Sequence, residues 1–339
     1  MFLRLKLWYL GFLDKGSYTF IEALFCYFLY GLSFIYGLIV KVRNILYDFN
    51  FLPSYRSKSK IMSIGNLSWA GSGKTPLSIW FHKVFSSRYK VAILRRGYGQ
   101  DEEKLIKEDT GDVFSTPNRV KIIQKVESFF DLFILDDGFQ YRKLKKDINI
   151  LIMGAREFRK KYRLIPAYFF REHFNSIKRA DIVILNYVDD ISGLPEIEKS
   201  ILRVAPHVKI YHSRYKIKKF TDLHNNKVEE SVIKSKRLAA FTAIGYPQGF
   251  FRKLEEADLD ILRHIEYPDH YELSIDEFNQ IQEDLIKENI QGLVITAKDK
   301  YHIPVAEKKL DIYILEIEMD IQKADDLIDT IRDKLLLTR

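Results

Sequence analysis

Apolar and polar positions fall in alternating blocks along this chain. Residues 61–64 form a short apolar run, followed by a glycine-rich turn and a helical spacing from 74 to about 87. Further near-continuous apolar runs at 90–94, 129–135, 148–153 and 181–185 read as strands covered on both faces, as in a parallel sheet. Residues 101–116 are polar and loop-like, and Pro117 opens a helix to about Ser128. From about residue 216 the pattern changes to two short strands around the His224-Asn225-Asn226 turn. Strands at 237–242, 261–265, 292–296 and 311–317 then alternate with helices near 247–256, 274–288 and 322–336. Such alternation predicts the α/β class. The expected division is an N-terminal helical segment over 1–50, a nucleotide domain over 51–215, a two-stranded linker over 216–230 and a smaller α/β domain over 231–339.

One stretch departs from this rhythm. Residues 23–40, ALFCYFLYGLSFIYGLIV, carry no charge in eighteen positions and include six aromatic rings. That length is at the lower limit for a spanning helix, and the rings suit an interface. Crossing the bilayer, lying in its interface and packing as a buried helix all remain open on the pattern alone. The run is too long and aromatic for a signal peptide, and no small-residue cleavage site follows it. Lys41 and Arg43 follow the run, so in either membrane case the rest of the chain is expected on the cytoplasmic side.

Composition adds charge to this picture. The chain of 339 residues has a formal net charge of +8, which favours an anionic partner. Residues 1–60 hold eight basic and three acidic residues, and residues 141–180 hold twelve and three. The second zone interleaves arginines with aromatic residues, a mixture that can meet anionic lipid or single-stranded nucleic acid. A single cysteine, Cys26, excludes an intramolecular disulfide and fits a reducing compartment.

The candidate chemistry sits at strand ends. Residues 64–76 read IGNLSWAGSGKTP, a strand, a glycine-rich turn and a helix start. Inward-pointing amides and a helix N-terminus cradle polyphosphate. Ala70, Gly71, Ser72, Gly73, Lys74 and Thr75 are the expected nucleotide contacts, with Lys74 on the β- and γ-phosphates and Thr75 on Mg²⁺. Ser68 stands where the strict pattern has glycine. The run 129–135 ends in Asp136-Asp137, the arrangement in which a carboxylate holds Mg²⁺ opposite the turn's hydroxyl. Arg96, flanked by glycine after the strand 90–94, is placed for a phosphate contact. Asn186 to Asp189 has the spacing of a guanine-reading signature but lacks its lysine, so ATP is expected rather than GTP.

The motifs IGNLSWAGSGKTP, RGYG at 96–99, GD at 111–112 and LDDGFQYRKLKKD at 135–147 occur in one order. RLIPAYFFRE at 163–172, IGYP at 244–247, PDHY at 268–271 and TAKD at 296–299 continue it. In these the chain resembles the tetraacyldisaccharide 4'-kinase family, which also tolerates serine at position 68. It departs from that pattern at Arg95, Val113-Phe114, Tyr141 and Tyr168-Phe169-Phe170.

The resemblance implies a P-loop (RecA-like) domain with a parallel-sheet core, a smaller α/β domain behind a β-hairpin linker, and a membrane-associated N-terminal helix. It implies transfer of the ATP γ-phosphate, with Mg²⁺, to the 4'-hydroxyl of an acylated disaccharide 1-phosphate in lipid A synthesis. It also implies a base made of Asp112 and His270, with Lys74 and Asp137 completing the catalytic set. The expected setting is a monomer at the cytoplasmic face of the bacterial inner membrane, on an anionic lipid surface and with no nucleic acid. The alternative is a membrane-tethered P-loop ATPase acting on a protein partner.

Overall fold

The computed structural model describes residues 19–69, 71–97, 106–107, 110–159, 162–190, 192–268, 271–304 and 309–336. These fall into two compact units. The larger holds the described residues up to Arg214 and from Met319 on, and the smaller holds Tyr215–Glu318.

The larger unit opens with helix α1, Phe20–Asp48, started by a capping box in which Thr19 and Glu22 satisfy each other's amides. Then follow β1 (Lys60–Gly65), α2 (Lys74–Phe85), β2 (Val91–Arg95), β3 (Val113–Ser115), α3 (Arg119–Val126), β4 (Leu132–Leu135), β5 (Ile148–Gly154), β6 (Ile182–Asn186) and α4 (Leu194–Val204). The next strand, β7, runs Lys209–Thr221.

Within this unit the sheet order is β3-β2-β4-β1-β5-β6-β7. Every neighbouring pair is parallel. The apolar runs are strands because both faces are covered: β2, β4, β5 and β6 are buried at every position. The chain leaves β1 toward β2 and β3, returns through β4, and only then crosses to β5. The strand order therefore reverses at β1, where a parallel sheet opens its ligand crevice at the carboxyl ends.

Helix α1 buries one stripe and exposes the other. Cys26, Leu29, Ser33, Gly37 and Val40 recur at helical spacing and are buried. Phe20, Ile21, Leu24, Phe28, Phe34, Ile35, Leu38 and Ile39 are exposed.

In the smaller unit, β8 (Lys227–Val228) pairs antiparallel with β7 across the turn expected there. Next come α5 (Glu230–Lys234), β9 (Leu238–Thr242), α6 (Pro247–Glu256), β10 (Ile261–Glu266), α7 (Ile275–Lys287), β11 (Gly292–Thr296) and β12 (Asp311–Ile321). Strands β10, β9, β11 and β12 are parallel neighbours in that order. The chain ends in α8, Ala324–Leu335, which belongs to the larger unit. There Tyr211 donates to Asp326 at 2.6 Å.

Candidate active site

Register decides what meets at the mouth of β1. Ser63 of β1 pairs with Leu135 of β4, so the two strands end side by side. The glycine-rich turn that leaves β1 and the aspartates that leave β4 are thereby neighbours. Contact is close: a Cβ on Gly65 would stand 2.5 Å from Phe139 Cβ, and Gly138 N donates to Ile64 O at 2.8 Å.

The turn is held by its own neighbours. Gly73 sits at φ 95° as the residue before α2, a backbone region that glycine occupies without strain. Buried Asn66 donates to Ser72 Oγ at 2.9 Å, and Gln140 donates to Asn66 O at 2.9 Å. From the end of β6, Asn186 donates to Ser72 O at 2.9 Å, while Ser213 Oγ and Tyr187 N donate to its Oδ1. Tyr187 OH donates to Gly71 O at 3.2 Å. The asparagine that looked like part of a base-reading signature thus braces the phosphate turn. Ala70 lies outside the described residues.

A hydroxyl and a carboxylate meet at the start of α2. Thr75 Oγ1 donates to Asp136 Oδ2 at 3.3 Å, and Ser78 Oγ donates to Asp136 Oδ1 at 3.2 Å. Asp137 occupies the left-handed region at φ 53°. Arg171 donates to both of its carboxylate oxygens, at 2.9 and 2.8 Å. Burial alone would raise the Asp137 carboxyl, but the charges of Lys74, Arg171 and Arg119 outweigh it and hold the group below its ordinary value.

Beneath both aspartates lies Arg119, the first residue of α3 and 1% exposed. Its guanidinium donates to Asp136 O at 2.8 Å and Asp137 O at 3.2 Å, and stacks over Tyr141 at 5.2 Å. Burial lowers its pKa, while Asp136 and Asp137 oppose that shift. No motif marked this arginine.

Arg96 follows β2 and is exposed at the same carboxyl edge of the sheet. Asp112 is elsewhere. Its carbonyl accepts from Ile93 N at 2.9 Å at the amino end of β3, on the rung that Ile134 and Met62 continue. Three strand spacings separate β3 from β1, about 14 Å. The Asp112 charge acts on His82, near the far end of α2, eight residues and about 12 Å of helix from Lys74. Parallel pairing places Asp112 at the amino end of β3, and His270 lies outside the described residues.

Fold and site together define a P-loop nucleotide-binding protein. A family model described as tetraacyldisaccharide-1-P 4'-kinase matches residues 25–336, and the chain belongs to that family. A tetraacyldisaccharide 4'-kinase of Histophilus somni is 30% identical over 327 residues, covering 89% of this chain and 92% of the relative. One from Halothermothrix orenii is 25% identical over 97% of both chains. A crystal structure of LpxK from Aquifex aeolicus in complex with ATP shares the fold, with a TM-score of 0.69 at 24% identity over 90% of this chain and 98% of that one.

Proposed function

We propose that this kinase moves the γ-phosphate of ATP to the 4'-hydroxyl of a tetraacyldisaccharide 1-phosphate, giving the bisphosphorylated lipid IVA of lipid A synthesis. The observation that carries the site is the meeting of Thr75 and Asp136 at the start of α2, beside the braced turn. A hydroxyl and a carboxylate fit Mg²⁺, which keeps several water and phosphate ligands and needs no all-protein cage. Thr75 and Asp136 would hold the ion, which would supply neutralisation of the charge that develops on the phosphates.

The chain's own groups do the rest. Amides of the turn at Gly71, Ser72 and Gly73 hold the phosphates, and Lys74 follows the transferring group. Asp137, kept ionised by Lys74 and Arg171, faces the attacking hydroxyl and orients it. The 4'-oxygen bonds to the γ-phosphorus as the bond to the bridging oxygen of ADP breaks, and the hydroxyl proton leaves to a base. His270 is proposed for that base on the resemblance alone.

Helix α1 would place the active site at the acceptor. It is seated on the larger unit at intervals from Cys26 to Asn44, which suits a helix lying in the interface rather than crossing it. Its exposed apolar stripe would enter the lipid while basic residues meet anionic headgroups. The setting inferred is a monomer at the cytoplasmic face of the inner membrane.

The test is incubation of the full chain with ATP, Mg²⁺ and a tetraacyldisaccharide 1-phosphate in mixed micelles. A doubly phosphorylated lipid is expected. Release of inorganic phosphate with the lipid unchanged would instead favour an ATPase.

A further inference from the structure

The segment from Leu164 to Arg171 is a closed loop fixed on two sides. Its own main chain ties it shut, with Ile165 N donating to Phe170 O at 2.9 Å and Tyr168 N to Leu164 O at 3.0 Å. One side is stitched to the phosphate turn. Arg171 N donates to Leu67 O at 2.7 Å, and Trp69 N donates to Phe169 O at 2.9 Å.

The other side rests on α1. Ser33 is buried within the apolar helix, and its Oγ donates to Leu164 O at 2.9 Å while accepting from Ala167 N at 2.7 Å. Tyr36 OH donates to Arg171 O at 2.9 Å. Gly37 permits this approach, because a Cβ there would stand 2.8 Å from Leu164 Cδ1 and 3.0 Å from His173 Nε2. Arg171 is thus gripped three times. The phosphate turn holds its amide, α1 holds its carbonyl, and Asp137 holds its guanidinium.

A helix that served only as an anchor would need none of these contacts. Polar hydroxyls on the buried stripe of an apolar helix are retained at a cost unless they are bonded, and both of these are bonded to one loop. We propose that α1 is a positioning element of the phosphotransfer site: Ser33 and Tyr36 set the main chain of the 164–171 loop and, through it, the guanidinium of Arg171 on Asp137. Unseating the helix from this loop then lowers turnover even where lipid binding persists. This rests on the reading of the phosphate turn and Asp137 as the reacting centre.

The experiment uses the full chain in mixed micelles with ATP, Mg²⁺ and the acylated disaccharide 1-phosphate. Tyr36→Phe removes one hydroxyl and should lower kcat roughly threefold to tenfold, with the lipid KM within about twofold of wild type. Ser33→Ala loses a donor and an acceptor and should fall further, and Ser33→Thr should restore activity. Adding Tyr36→Phe to Arg171→Lys should cost no more than Arg171→Lys alone, since both act through one guanidinium. Co-sedimentation of Tyr36→Phe with anionic vesicles should match wild type.

Wild-type kcat in both Tyr36→Phe and Ser33→Ala would overturn the proposal. Losses confined to lipid KM and vesicle binding, or losses that multiply fully with Arg171→Lys, would do the same. If Ser33→Ala unfolds on heating well below wild type, Tyr36→Phe decides alone. Lys74→Ala, run alongside, separates the two levels: retained activity there would remove the underlying reading, whereas an inactive Lys74→Ala beside fully active Tyr36→Phe and Ser33→Ala would remove only the role of α1.

Discussion

The carboxyl end of β4 and the amino end of β3 lie in the same parallel sheet, two strands apart, and both present aspartates. At β4, the side-by-side ending with β1 delivers Asp136 to Thr75 and Asp137 to Arg171. At β3, Asp112 is exposed on a rung level with the middle of β1. The same side chain has different chemistry at the two places because a parallel sheet gathers its loops at one edge. An aspartate that enters a strand is held away from that edge, whereas one that leaves a strand is held at it.

The largest expected effect at the β4 edge is that of Lys74→Ala. Losing a charge-stabilising donor from a preorganised site should lower kcat by roughly 10²–10³-fold. The thermal unfolding midpoint should barely move, because Lys74 is only partly buried on the surface of the turn. Asp136→Ala should be comparably severe and should also raise the Mg²⁺ concentration needed for half-maximal rate, measured by metal titration. Unaltered metal dependence would separate Asp136 from the Mg²⁺ ligands.

Arg119→Met comes next and probes the support beneath the edge. It leaves two buried carbonyls without their donor, at about 1–3 kcal/mol. Both the unfolding midpoint and kcat should fall, in contrast to Lys74→Ala, where only kcat falls.

A smaller effect is expected from pH. Asp137 has a folded-state pKa below its ordinary value, so its contribution to stability is complete above the ordinary aspartate range. That contribution disappears as pH falls through the lower, folded-state value. Arg171→Met removes part of the cause. The gap in unfolding midpoint between wild type and Arg171→Met should therefore be full at neutral pH and close below about pH 4. A gap that stays constant down to pH 2 would mean that Arg171 stabilises the fold by packing and not through Asp137.

The β4 edge was legible because it is written in elements. Two buried strands, one ending in a glycine-rich turn and the other in paired aspartates, leave few arrangements once the sheet is parallel. Asp112 was a dipeptide in a polar stretch, and the three residues of β3 are too few for a periodic signal. Arg119 was invisible for a different reason. A lone arginine after the Asn118 cap looks solvated, and only tertiary carbonyls from another strand make its burial favourable. Helix α4 carries its own signals, Gly193 in the left-handed region and a proline in the first turn, which a reading centred on strands passes over. Hydrophobic pattern could not choose among three states for α1. To that pattern the structure adds the bonds of Ser33 and Tyr36 and the close approach at Gly37, which fall along one stripe.

The contrast between the two ends of the sheet is tested most directly by measuring phosphate transfer to the acylated disaccharide 1-phosphate by Asp137→Ala and Asp112→Ala side by side. The carboxylate that faces the reacting centre should be needed, with a loss of roughly 10²–10⁴-fold in kcat. The mid-sheet carboxylate should be dispensable, with kcat within about threefold of wild type, since exposed surface changes cost little. A severe loss in Asp112→Ala with Mg²⁺ dependence and unfolding midpoint unchanged, beside an active Asp137→Ala, would contradict the placement of the site at the carboxyl ends of β1 and β4.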